Sequence, residues 1–180
     1  MKKFVVYTPL FAISSAVIAL DQWTKWLVRT HLAIQETWVP WDWLEPYARI
    51  VRWKNTGVVF GMFQNIGEVI MVLSALISIA IIYYYPKVPK HEIYLKIALS
   101  LQLGGAVGNL IDRIARGYVT DFISIGKFAV FNVADSSISV GVVILLIGVW
   151  ISEMRQKKQP VISEGHPAPE DVSKLPEGHE

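Results

Sequence analysis

Residues Tyr118 to Ser139, YVTDFISIGKFAVFNVADSSIS, hold two aspartates, Asp121 and Asp135, each embedded in apolar sequence. At a strand's period of two, Asp121 shares a face with Val119, Ile123 and Ile125, where a carboxylate is costly unless something needs it there. Asp135 is followed by seventeen uncharged residues, Ser136 to Ser152. A turn at Gly126-Lys127 predicts that Phe128 to Phe131 fold back along the first arm, which sets Asp121 roughly opposite Asn132. The two carboxyl groups are then expected to meet at a membrane edge.

The rest of the chain supplies that membrane. Its 180 residues are 53% hydrophobic with seven Trp, outside the ordinary soluble range. Four apolar runs stand out, Phe4 to Leu20, Val69 to Tyr85, Ile97 to Ile111 and Ser136 to Ser152. Seventeen helical residues span about 26 Å, close to a hydrocarbon core of ~30 Å. The expected fold is an all-α polytopic membrane protein of four transmembrane helices, with a small extracytoplasmic β-rich element and an interfacial loop. Residues 1–155 form the membrane domain, and 156–180, polar and Pro-rich, form a tail expected to be disordered. His166 and His179 lie in that tail.

Absent cysteine excludes disulfides, thiol nucleophiles, thiolate metal sites and Cys-acylation of the chain itself. A net charge of +2 is too small to imply nucleic acid. Lys2-Lys3 before an apolar run, with Val17-Ile18-Ala19 beyond, also fits a cleavable secretory signal. Against that reading, no polar segment precedes the cut, and Trp23, Trp26 and Leu27 continue the helical pattern.

The first helix, about Phe4 to Arg29, places Asp21 and Lys25 four residues apart on one face, either a helix-end ion pair or part of a site. Between His31 and Asn65 lie Trp38, Trp41, Trp43, Pro40 and Pro46, an interfacial loop. Ala48 to Trp53 reads as a short strand, and Lys54-Asn55-Thr56-Gly57 as a turn. The second helix, about Gly67 to Tyr85, ends in the basic loop Pro86 to Lys90. The third, about Ile93 to Arg113, sets Gly105, Asn109 and Asp112 on one stripe. Gly104 and Gly108 fit small-residue helix packing equally well. Asp112 and Arg113 fit an interfacial charge pair, whereas Asn109 inside an apolar stretch must find a polar partner.

Four spans put both termini on one side, with Lys2, Lys3, Lys87, Lys90, Arg155, Lys157 and Lys158, which is expected to be cytoplasmic. The bias is uneven, since Arg29, Arg49, Arg52, Lys54, Arg113, Arg116 and Lys127 fall on the other side. Asp21, Asn55, Asp112, Asp121 and Asp135 then gather at the outer edge. No HExxH or similar spacing exists, and no serine has a recognisable base beside it. A carboxylate pair remains. Two such groups in a poorly hydrated place cannot both ionise easily, so one keeps a proton and the other activates water. Asp135, near a helix N-terminus whose dipole favours negative charge, is the expected base. Asn132 to Asp135 also fits a plain capping arrangement. Two other classes stay in view. A proton-coupled transporter would need mid-membrane polar groups and an internal repeat; a scaffold would tolerate Asn at either aspartate.

The chain resembles the lipoprotein signal peptidases, the bacterial signal peptidase II family of intramembrane aspartyl proteases, over about residues 10 to 153. The resemblance rests on D-x-x-[ST]-K at Asp21 to Lys25, N-x-G-x-x-F at Asn55 to Phe60, and GGAVGNLIDR at Gly104 to Arg113. V-T-D-F at Val119 to Phe122 and F-N-V-A-D at Phe131 to Asp135 complete it. It implies Asp121 and Asp135 as the catalytic dyad. Around it stand Gly105, Gly108, Asn109, Asp112, Arg113, Asn132 and Ala134, with Asp21, Lys25, Asn55 and Gly57 framing the substrate. The implied reaction removes the signal peptide from diacylglyceryl-modified prolipoproteins, cutting before the lipid-bearing cysteine. No metal or organic cofactor is implied; lipid-modified prolipoproteins and membrane lipids are the implied partners of a monomer, and globomycin the implied inhibitor. Val58 and Val59 replace the family's usual alanines, and the stretch between the aspartates is short.

Overall fold

Inside a membrane each backbone N–H and C=O must be satisfied within its own segment, so each apolar run becomes one continuous helix. The computed structural model describes residues 2–57 and 66–158. Its helices are α1 (Lys2–His31), α2 (Ile66–Tyr84), α3 (Ile93–Arg116) and α4 (Val133–Lys158). Among the described residues, four helices are long and apolar enough to cross a membrane. Every helix begins before the apolar run that announces it, and all but α2 also end beyond it. Asp21 therefore lies ten residues inside the end of α1 rather than at its edge. α1 also passes through Val17-Ile18-Ala19 without a break. The expected tail falls mainly on residues 159–180, which, like Val58, Val59 and Phe60, lie outside the described residues.

α3 is the centre of the bundle and packs against α1, α2 and α4. Glycines allow the approach. A Cβ at Gly104 would lie 2.7 Å from Val17 Cβ on α1, and one at Gly105 would strike the Ala134 carbonyl and lie 2.6 Å from Ser137 Oγ on α4. The outward rows stay apolar and exposed, as on α2 at Val69, Leu73 and Leu76 and on α4 at Val143, Leu146 and Trp150. Such rows face hydrocarbon. α3 stops at Gly117, whose φ of 76° is left-handed and whose N–H returns to the Arg113 carbonyl at 2.9 Å.

Three antiparallel strands cap one end in the order β1 (Thr37–Trp38), β2 (Ala48–Asn55) and β3 (Val119–Ile125). The expected turn at Gly126-Lys127 forms and brings the return arm back to β3, but that arm is not the main partner of the strand. The ladder partner of β3 is β2, with Trp53 opposite Asp121, while Phe128 to Phe131 contribute a single bridge from Phe131 to Ile123. The return arm is too short to pair further, because Asn132 already caps α4 and Phe128 is turned outward. Nor does burial alternate along β3. Val119, Thr120, Asp121 and Phe122 are all buried, because α1 and α3 both pack on the strand. In the loop ahead of β2, Trp41 and Trp43 stack at 6.2 Å and remain exposed, the aromatic character expected at an interface.

Candidate active site

Asp121 sits in β3 with 1% of its surface exposed. Both its oxygens accept amide N–H groups. Asn55 Nδ2, from the end of β2, donates to Oδ2 at 2.8 Å, and Asn132 Nδ2 donates to Oδ1 at 2.6 Å. Each amide is oriented by its own second contact. Asn55 Oδ1 accepts the Gly57 N–H at 2.8 Å, so its NH₂ is left facing Asp121. Gly57, at φ 75°, is the residue that this tight return requires. The Asn55 segment is thus both a turn and an arm of the site.

Asn132 is the N-cap of α4. Its Oδ1 accepts the Asp135 N–H at 2.9 Å while Asp135 Oδ2 accepts the Asn132 N–H at 3.2 Å, a reciprocal capping box. The capping reading therefore holds, and the same two side chains also hydrogen-bond to Asp121 and Asn109. Asp135 lies in the first helical turn, where the dipole favours its charge. Its other oxygen accepts Asn109 Nδ2 at 2.8 Å. Asn109 presents that NH₂ because its Oδ1 is already taken by Lys25 Nζ at 2.8 Å and Asn132 Nδ2 at 3.1 Å. Two asparagines thus link the aspartates, and the Ile123–Phe131 bridge sets Asn132 beside Asp121, as the turn implied.

Behind this layer lies a second one made of full charges. Lys25, wholly buried, is 2.8 Å from Asp21 and 3.5 Å from Asp112. Asp21 Oδ1 accepts the Ala134 N–H at 3.0 Å, which ties α1 to the first turn of α4. A Cβ on Gly108 would lie 2.8 Å from Asp21 Oδ2, so that glycine makes room for the carboxylate. Asp112 also meets Arg116 at 3.0 Å and Arg29 at 3.5 Å, and accepts the Thr120 N–H at 3.0 Å. The expected Asp112–Arg113 pair does not form, since adjacent helical residues point apart. Arg113 is half-buried and makes no ion pair among the described residues.

Asp21, Lys25, Asn55, Gly57, Gly105, Gly108, Asn109, Asp112, Asp121, Asn132, Ala134 and Asp135 are joined by hydrogen bonds, ion pairs or close glycine contacts at this end of the bundle. Arg29, Arg116, Thr120 and Gln22 were missed. Two of them carried a signal: Arg29 continues the Asp21, Lys25 stripe by one more turn, and Arg116 is four residues beyond Asp112. Gln22 donates to the Gly108 carbonyl at 3.0 Å, and Thr120 accepts from Arg29 at 3.2 Å. Neither contact had a local cue. Burial pushes the Asp121 carboxyl up to about 6, helped by the negative charge of Asp135 and opposed by its Asn55 and Asn132 hydrogen bonds. Desolvation outweighs the amide contacts.

The architecture defines a multi-pass helical membrane protein with a buried site of acids and amides. A family model described as signal peptidase (SPase) II matches residues 13–151. The chain is 39% identical to the lipoprotein signal peptidase of Halalkalibacterium halodurans, covering 83% of this chain and 96% of that relative. To the lipoprotein signal peptidase of Acinetobacter baumannii it is 38% identical, covering 81% and 85%. Two solved bacterial membrane enzymes share the fold. One has a TM-score of 0.74 at 28% identity over 84% of this chain and 93% of the other. The second has a TM-score of 0.72 at 29% identity over 78% and 91%. The chain belongs to the signal peptidase II family, and is therefore a peptidase. The transporter alternative finds no support in these comparisons.

Proposed function

We propose that the chain is an aspartic endopeptidase that removes the signal peptide from diacylglyceryl-modified prolipoproteins, with Asp121 and Asp135 as its dyad. The observation that carries this reading is Asn132, whose side chain donates to Asp121 at 2.6 Å while its backbone N–H donates to Asp135 at 3.2 Å. One residue touches both carboxyl groups, and neither acid is in an ion pair among the described residues.

In the proposed reaction Asp135, at the helix N-terminus, is the base and takes a proton from water as its oxygen attacks the scissile carbonyl. Asp121, the carboxyl raised by burial, carries the other proton and donates it to the carbonyl oxygen as charge develops. The resulting gem-diol collapses. Asp135 returns its proton to the departing nitrogen, the C–N bond breaks, and a diol proton goes back to Asp121. The products are a signal peptide with a new carboxyl end and a lipoprotein with a free amino group on its lipidated cysteine. Asn55, Asn109 and Asn132 fix the two acids in place. Lys25, Asp21 and Asp112 hold Asn109 and the start of α4, and Gly57, Gly105, Gly108 and Ala134 permit these approaches. Arg113 lies where the field of both acids reaches it, available to a substrate carbonyl.

The family and the four spans support a place in the bacterial cytoplasmic membrane, both termini inside and the acids at the extracytoplasmic face. The deciding experiment is cleavage of a diacylglyceryl-modified prolipoprotein by the purified chain in detergent. Wild type is compared with Asp121→Asn and Asp135→Asn, each checked for folding. Cleavage lost in both folded variants supports the dyad; cleavage kept in either sinks it.

A further inference from the structure

The end of the bundle away from the acids carries a different kind of feature. Between α1 and α3, beside the turn Tyr85–Lys87, runs an open groove of about 580 Å³, within the range of ligand sites. Its walls are apolar, with Val5, Pro9 and Ile13 on one side and Ile93 and Ile97 on the other. Tyr85 forms the floor. It is wholly buried, stacks on Tyr7 at 6.4 Å, and its hydroxyl finds no partner among the described residues.

The charged members of the lining are Lys90 and Lys96, and no acid is among the lining residues. Neither lysine is in an ion pair among the described residues. Lys96 Nζ lies 5.6 Å from the Tyr85 ring. Pro9 offers no N–H to the Val5 carbonyl, so the groove also has a polar backbone edge. An apolar trough ending in uncompensated cations has the chemistry of neither a peptide nor a soluble anion site. It matches a molecule with a long apolar part and a negatively charged head.

We propose that this groove holds an anionic phospholipid from the leaflet beside the chain termini, one acyl chain lying along the α1–α3 wall and the phosphate between Lys90 and Lys96. Basic pockets between membrane helices bind such headgroups, and lipid is the medium in which the groove opens. The site lies beyond the peptidase reaction and depends on none of its residues.

The test is native mass spectrometry of the full chain in detergent, with phosphatidylglycerol or phosphatidylcholine added at equal concentration. Wild type is expected to retain phosphatidylglycerol preferentially. Lys90→Gln and Lys96→Gln should each lower that preference about fivefold, the effect of one cation near a charged lipid surface. Arg49→Gln with Lys127→Gln, an equal loss of charge at the other end, should leave it unchanged. Equal retention of the two lipids by wild type overturns the proposal. So does a preference that survives in the Lys90→Gln, Lys96→Gln double variant, or that falls as far in the Arg49→Gln, Lys127→Gln control. Equal melting temperatures of the variants keep the comparison free of unfolding.

Discussion

Asp112 and Asp121 are equally buried and only nine residues apart, yet they keep different company. Asp112 faces Lys25, Arg29 and Arg116, all within 3.5 Å. Asp121 accepts from the amides of Asn55 and Asn132 and has no cation at ion-pair distance among the described residues. A carboxylate matched by cations is a fastening, because giving up its charge strands the partners. One held by neutral donors can gain or lose a proton without breaking up its surroundings. The layer of ions therefore fastens the end of the bundle, and the layer of amides leaves the two acids of the proposed dyad able to exchange protons.

The sharpest way to break this contrast is to neutralise an acid from each layer. Asp121→Asn and Asp135→Asn should lower prolipoprotein cleavage by at least about 10²–10⁴-fold, the usual contribution of a general acid or base, with melting little changed. A comparable loss of activity without loss of stability in Asp112→Asn would erase the distinction. Removing Lys25 tests the other layer. Lys25→Met leaves Asp21 and Asp112 short of a buried cation and should cost about 3–5 kcal/mol, read as a lower unfolding midpoint in detergent.

Next in size is a pH effect. The Asp121 carboxyl is raised from 3.8 to about 6, so the folded chain binds this proton more tightly than the unfolded one. Its contribution to stability is complete below about pH 4 and is lost as pH rises through 6, about 3 kcal/mol in all. Stability measured from pH 4 to 7 should therefore fall more in wild type than in Asp121→Asn; parallel curves would contradict the shift. Activity should likewise fall on the alkaline side, at or above pH 6, where the dyad loses its shared proton. Gly105→Ala, which drives a methyl into the Ala134 carbonyl, should cost about 1–3 kcal/mol by overpacking. The smallest effect belongs to Arg116→Ala. Its side chain is 32% exposed, and loss of that pair should cost no more than about 1 kcal/mol.

Much of this could be read along the chain because its signals are local. The four helices follow from apolar runs, the Asp21–Lys25 pair from a spacing of four, and the polar stripe of α3 from Gly105, Asn109 and Asp112. The β2–β3 ladder had no such signal. It joins residues 64 to 77 positions apart, from Asn55–Val119 to Ala48–Ile125, and since β3 is buried on both faces its sequence carries no alternation to set a register. The Gly126-Lys127 turn was a real local cue, but it led to a partner that supplies one bridge. Of the two readings of Asp112, the stripe on α3 was legible and the pair with Arg113 was the wrong alternative, since the partners of Asp112 come from another helix and from one turn onward.

The hydrogen bond from the Ala134 N–H to Asp21 at 3.0 Å has a consequence for how the protein is made. A ribosome delivers Asp21 with the first helix, and Asp135 and Ala134 with the last. Until the final span enters the membrane, one oxygen of Asp21 has no backbone donor and Asn109 has no acid to hold. On the proposed dyad, a nascent chain with three helices inserted lacks one of its two acids and is expected to be inert. Both acids of the proposed dyad come together only once the closing helix docks, so cleavage is expected to begin with that last step of assembly.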